Sequence, residues 1–233
     1  MTINLNEIVS YSWTQLHEIE VELGIELHAI KKQISESDEM VKELYNELQE
    51  QIKKDPAFKE LSPEDKGHYY TYVFEREEYI MQDLQLKQSY SALLGLYAFI
   101  ERCFWDLCHK IQIDFDSKVK LKDLNGHNIL QKYWNYLNKV IEVETKDLEQ
   151  FFEPLKLHQI VRNSVAHRGG LISEDNYSKH IKEKHGLKGW NHGADMKKLS
   201  FDKDQNLHLL TCTENLFNGL LDMVDAKMSN SKS

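Results

Sequence analysis

Apolar residues recur at intervals of three and four along most of this chain, and that period predicts helices. Over residues 3–33 the stripe is Ile8, Leu16, Ile19, Leu23, Leu27 and Ile30. Ser35-Glu36-Ser37-Asp38 reads as a stop followed by a fresh N-cap. Val41, Leu44, Leu48 and Ile52 then carry a second stripe, which ends near Asp55-Pro56. The first 55 residues are therefore expected to form a helical hairpin. Ser62-Pro63-Glu64-Asp65 is a strong helix start: a capping Ser, Pro at the first helical position, and an acid three residues after the cap. No decisive breaker follows until Asp114. A single helix over that whole stretch would be unusually long, so a break is placed near 82–88. Tyr90, Leu93, Leu94, Tyr97, Ile100, Phe104, Leu107 and Ile111 form the apolar stripe of a central bundle helix.

Residues 114–126 read as a loop and 128–143 as a helix with Leu130, Trp134, Leu137 and Ile141 inward. A short helical turn covers 147–152. Glu153-Pro154 opens the next helix, with Leu157, Ile160, Val161 and Val165 packing inward. Gly169-Gly170 stops it, since glycine takes the left-handed conformation at little cost. Residues 171–195 show no clear period and read as an exposed loop. The segments 198–201 and 207–210, joined by Asp202-Lys203-Asp204-Gln205-Asn206, have the form of a small β-hairpin. Thr213 begins a last helix through Leu216, Leu220 and Met223, and the tail 229–233 is expected to fray. The predicted fold class is all-α: a helical bundle over 62–233, preceded by a helical extension over 1–61, with the hairpin before the final helix.

Composition supports this reading and narrows the function. Apolar residues make up 41% and charged residues 29%, a balance too hydrophobic for wholesale disorder. Only 3 Pro and 10 Gly interrupt the chain, which favours long helices. The formal net charge of −9 argues against a protein that coats nucleic acid, though it leaves room for a small basic pocket. No secretory signal is visible, and no apolar run approaches the roughly 20 residues of a membrane span. Cys103, Cys108 and Cys212 lack a zinc-type spacing and read as reduced, structural thiols of a cytoplasmic protein.

One segment suggests chemistry: Arg162-Asn163-Ser164-Val165-Ala166-His167. The glycine stop puts the His167 ring in the last turn of a helix, where the macrodipole favours a cation. An imidazole can give or take a proton near neutral pH, and a guanidinium can hold a phosphate by two parallel hydrogen bonds. Together these are the parts needed to cleave RNA without a metal. Arg162 and His167 are five apart, so on a regular helix they diverge by about 140°. Asn163 and His167 are four apart and share a face. A symmetric dimer with the two helix ends facing each other would bring two histidines and two arginines into one cleft.

The run Val161-Arg162-Asn163-Ser164-Val165-Ala166-His167-Arg168-Gly169-Gly170 resembles the Arg-x(4–6)-His signature of HEPN domains, with the common Asn after the Arg. A preceding aromatic-rich helix containing Glu101, and a loop, hairpin and closing helix after the motif, agree with it; the resemblance covers about 62–227. It implies a HEPN-like helical bundle that dimerises around the motif and an endoribonuclease that leaves a 2′,3′-cyclic phosphate, often in toxin–antitoxin or defence systems. Arg162, His167 and Asn163 would be catalytic, Arg168 would attract substrate, and no metal or cofactor is implied. The implied partners are an RNA substrate, a second copy of the chain, and an antitoxin or regulatory protein. Some HEPN toxins carry a Tyr two residues after the His that a partner enzyme modifies with AMP; here that position is Gly169, which offers no hydroxyl. The alternative is a catalytically inactive HEPN-like interaction module that binds a protein or nucleotide partner.

Three other features have plainer readings. His180, His185 and His192 do not match a metal motif and read as a polar loop. Tyr69, Tyr70, Tyr72, Phe74 and Tyr79 could stack bases but read as core or dimer-interface packing. Glu101 reads as a solvated or salt-bridged helix residue.

Overall fold

The scarcity of helix breakers has its consequence in two helices of 40 residues each. The computed structural model describes residues 11–115, 117–124, 128–182, 187–193 and 195–231. Helix α1 spans Gln15–Lys54 without interruption. The expected stop at 35–38, and with it the N-terminal hairpin, does not occur. Ser, Glu and Asp without Gly or Pro cost a helix only tenths of a kcal/mol each, about 0.5. Burial of Ile30, Ile34, Val41, Leu48 and Ile52 along one stripe outweighs that cost. The expectations for Ile3 and Ile8 fall outside the described residues.

Asp55 caps helix α2 (Pro56–Glu60), its Oδ1 accepting from the backbone N–H of Ala57 at 2.8 Å and Phe58 at 3.2 Å. Ser62 caps α3 (Pro63–Val73), its Oγ accepting from the Asp65 N–H at 3.2 Å and donating to the Asp65 carboxylate at 2.7 Å. The next break falls at Phe74 rather than at 82–88, and α4 runs Glu75–Asp114. Phe74 is buried against Phe58, Tyr69 and Tyr70, so the chain turns where its largest local anchor is seated. The expected aromatic cluster thus divides: Tyr69 and Tyr70 pack there, while Tyr72 and Tyr79 are exposed.

Asn128 caps α5 (Ile129–Asn135), which continues as a widened turn over Tyr136–Val140. Helix α6 spans Glu149–Arg168 and contains Pro154, so the expected short turn and the helix after it are one element. The ring removes one backbone donor and leaves the rest of the ladder in place. After α6 come β1 (Leu171–Ser173), α7 (Glu174–Tyr177), a wide turn at Ser178–Lys182, β2 (Lys188–Asn191), β3 (Met196–Ser200) and α8 (Lys203–Ser231). The strands form an antiparallel sheet in the order β1-β3-β2, with Leu171 opposite Lys198 and Trp190 opposite Lys198.

The fold is helical, with a small sheet before the last helix, but the strands differ from those expected. Residues 207–210 belong to α8, where Asn206, Leu209, Leu210 and Thr213 are buried at helical spacing. The partner strands of β3 come from 171–191, read from sequence as loop. Ile172, Tyr177, Ile181 and Leu187 are buried there, but they sit on a strand, a helix, a turn and a strand approach, so they share no period. The tail, expected to fray, is helical through Ser231.

The chain divides into two units, 1–29 with 95–163 and 208–233, and 30–94 with 164–207. In the first, Leu16, Tyr97, Phe104, Leu130, Phe152 and Phe217 are essentially without exposure. Trp134 stacks on Phe152 at 4.1 Å, and Phe104 meets Phe217 at 4.8 Å. Cys103 and Cys108 are buried in it as free thiols, and burial pushes Cys103 up to about 12. In the second, Tyr90, Leu93, Ile172, Leu199 and Phe201 are buried, and Leu48, Ile52 and Phe74 form a cluster of their own. Among the described residues no helix is long and apolar enough to cross a membrane.

Candidate functional site

The phase of α6 decides what its motif can do. Leu155, His158, Gln159, Val161 and Val165 are buried, whereas Ile160, which the sequence pattern placed inward, is 38% exposed. Positions 155, 158, 162 and 165 recur at three and four, so Arg162 belongs to the inward stripe. Positions 160, 163 and 167 recur in the same way on the outward face, and Asn163, His167 and Arg168 are all exposed. The hydrophobic pattern misassigned Ile160 because two polar residues, His158 and Gln159, take inward positions beside it.

Within the first unit Arg162 is held on two sides. Its Nη2 lies 3.1 Å from the Glu101 carboxylate, and its Nη1 donates to Asn163 Oδ1 at 3.0 Å. Both ionic side chains are about one-quarter exposed, at 25% and 27%. A pair this shielded is worth more than a surface bridge, and removing one partner would strand the other. Arg162 Nε and Gln159 Oε1 are buried without a hydrogen-bond partner among the described residues. Beside this pair lies the Tyr97 hydroxyl, which donates to the Leu155 carbonyl. Burial raises the Tyr97 phenol far above its ordinary value; Arg162 opposes the rise and Glu101 adds to it. One turn before Arg162, the ring of His158 donates from Nδ1 to the Pro154 carbonyl at 2.9 Å. Burial holds His158 below its ordinary 6.5, with the carbonyl bond opposing and His208 assisting.

Within the second unit the end of α6 is fastened at several points. Gly169 and Gly170 have φ of +59° and +83°. The Gly169 N–H reaches the Val165 carbonyl at 3.2 Å, the single bond of a left-handed helix stop. The Gly170 N–H reaches the Ser164 carbonyl at 3.1 Å, and the Ser164 hydroxyl donates to the Leu171 carbonyl at 2.9 Å. Leu199 of β3 donates its N–H to the Gly170 carbonyl at 2.9 Å. The buried Tyr90 hydroxyl donates to the Leu199 carbonyl at 2.5 Å. His167 and Arg168 therefore project from a turn whose backbone is fixed.

The sequence-predicted residues thus fall on one helix but not on one face. Asn163 and His167 share the exposed side with Arg168 near them in sequence, while Arg162 turns inward to Glu101. Glu101, read as a salt-bridged residue, is the partner of Arg162. Ser164 was not singled out from sequence, and Tyr90 and Tyr97 were read only as stripe residues of a central helix. Ser164 carried a local signal, a hydroxyl near the helix end before a glycine stop; the tyrosines reach their carbonyls from 58 and 109 residues away in the chain. Among the described residues no group of three His, Cys, Asp or Glu side chains could hold a metal; His185 lies outside them.

No protein-family model matches the chain, and no curated protein or solved structure matches it.

Proposed function

We propose that this chain is a metal-independent endoribonuclease of HEPN type that cleaves RNA where the α6 ends of two copies meet. The observation that carries the reading is the placement of the motif. His167 is exposed at the glycine-stopped end of α6, one turn from Asn163, and Asn163 Oδ1 is held by the Arg162 guanidinium at 3.0 Å. One imidazole takes the proton of a ribose 2′-hydroxyl, and the freed oxygen attacks the adjacent phosphorus. The bond from phosphorus to the 5′-oxygen breaks, and the partner subunit's His167 protonates that oxygen. The products are a 2′,3′-cyclic phosphate and a free 5′-hydroxyl. Arg162 offsets charge on the crowded phosphorane, and Arg168 draws the strand in. Because Arg162 and His167 of one copy diverge by about 140°, both requirements are met only with a second copy.

A second reading has its own support. Glu101 neutralises Arg162 at 3.1 Å, as it would in a module whose motif only shapes a partner-binding surface. Incubation of RNA with the protein in EDTA separates the two. Under the nuclease reading the wild type yields 2′,3′-cyclic phosphate ends, and His167→Ala and Arg162→Ala do not. RNA left intact by the wild type, or cut equally by the variants, selects the interaction module.

A further inference from the structure

The three-stranded sheet of the second unit has one buried and one open face. Ile172 and Leu199 are buried on the first, and Gly189 there abuts the Tyr177 ring, an added Cβ falling 2.7 Å from it. Lys197 belongs to this face and is bound to Glu174 at 3.0 Å. Paired residues of an antiparallel ladder point the same way, and residues two apart on a strand do too. Trp190, its cross-strand partner Lys198, and Lys188 therefore share the other face. Trp190 is 47% exposed and its ring meets no other aromatic ring among the described residues. Lys188 is exposed, and Lys198 is about one-quarter exposed. The acid nearest Lys198 is Asp83 at 3.9 Å, which Lys87 already holds at 2.7 Å.

Charge singles out the same region. Residues 164–200 hold seven Lys or Arg against four Asp or Glu, a net of +3 in a chain of −9. An indole face bordered by two ammonium groups, in the basic part of an acidic protein, fits a polynucleotide better than an apolar helix. The groups match a base to stack and phosphates to neutralise. A duplex offers no free base face, so the strand must be single. Lys198 lies directly across from Leu171, which follows His167 by four residues.

We propose that Trp190, with Lys188 and Lys198, is a stacking platform for single-stranded RNA that leads the strand toward His167. The proposal rests on the ribonuclease reading only for what happens to the strand once bound. The test is fluorescence anisotropy of a labelled single-stranded RNA and of its duplex, with the His167→Ala protein as the non-cleaving background. Trp190→Ala in that background should weaken single-strand binding by about 5- to 100-fold, and Trp190→Phe should recover most of the loss. Lys188→Gln with Lys198→Gln should lower the slope of log affinity against log salt by about 1.4, at about 0.7 for each lost phosphate contact. Unchanged affinity in Trp190→Ala, preference for the duplex, or no RNA binding by the parent protein overturns the platform. Cleavage by the wild type is scored separately. Trp190-dependent binding without cleavage sinks the nuclease reading alone, and cleavage indifferent to Trp190→Ala, with unchanged binding, sinks the platform alone.

Discussion

Replacing Gly170 with Ala tests how firmly the motif helix is anchored, and Gly169 supplies an internal control. Both glycines have positive φ, at +83° and +59°, so each Ala pays the left-handed backbone cost of about 1–2 kcal/mol. At Gly169 the new methyl meets nothing within 4 Å, and the backbone term is the whole effect. At Gly170 it falls 2.0 Å from the Tyr90 hydroxyl oxygen, 2.5 Å from Cζ and 2.8 Å from Cε2. Tyr90 is buried and its hydroxyl is bound to the Leu199 carbonyl, so it cannot swing aside without breaking that bond. Overpacking of about 1–3 kcal/mol and a weakened buried hydrogen bond of about 1 kcal/mol add to the backbone term. The total is about 3–6 kcal/mol for Gly170→Ala against about 1–2 for Gly169→Ala. Urea unfolding followed by circular dichroism measures both. In a Tyr90→Phe background, which removes the oxygen at closest approach, the Gly170→Ala cost should shrink. Equal losses for the two glycines, or no relief from Tyr90→Phe, would refute the contact between Gly170 and Tyr90.

Glu101→Ala should lower stability by about 1–3 kcal/mol, because Arg162 is left partly buried beside unpaired polar atoms; a denaturant midpoint equal to wild type would show the pair contributes nothing. Ser164→Ala should cost about 1 kcal/mol through the lost bond to the Leu171 carbonyl, read in the same assay. His158 is held below 6.5 by burial, so its neutral form is the one that fits the fold. Unfolding frees it to bind a proton, so its contribution is intact above pH 6.5 and is lost as pH falls from there through the folded value. The stability difference between wild type and His158→Gln should therefore narrow on acidification below pH 6.5, and a difference independent of pH between 8 and 5 would contradict the assignment.

Much of the helical architecture was legible because it depends on local rules. The cap at Ser62, the helix start at Asn128, the end of α1 before Asp55-Pro56 and the stop at Gly169-Gly170 all lie where local side-chain chemistry puts them. The errors share a cause. The stop expected at 35–38 and the break expected at 82–88 were placed on weak polar signals, and burial over several turns overrides those. The β pairing was misread because strands are specified by partners far along the chain. Leu207, Leu209 and Leu210 look like strand residues in isolation, and only the burial of Asn206 and Thr213 beside them reveals a helix.

The motif's residue types were legible in the sequence, but its geometry was not. A spacing of five said that Arg162 and His167 diverge, but not which of them faces the core; that depended on Ile160 lying outward and on Glu101, 61 positions earlier, meeting the guanidinium. The arrangement that follows separates two demands usually placed on one site. Arg162 is fixed by burial, at the cost of a carboxylate competing with any phosphate for its charge. His167 is exposed at the helix end, at the cost of having no hydrogen-bond partner among the described residues to orient the ring. A second copy could repair both, by bringing a phosphodiester to displace Glu101 and a second imidazole to finish the proton transfer. Cleavage should therefore depend on protein concentration, with activity per chain rising as pairs form. Mixing wild type with an excess of His167→Ala chains tests the same logic. If both copies must supply an imidazole to one cleft, mixed pairs are inactive and activity per wild-type chain should fall as the variant is added. If a single chain is sufficient, activity per chain will be flat with dilution and indifferent to the added variant, and the shared cleft must be abandoned.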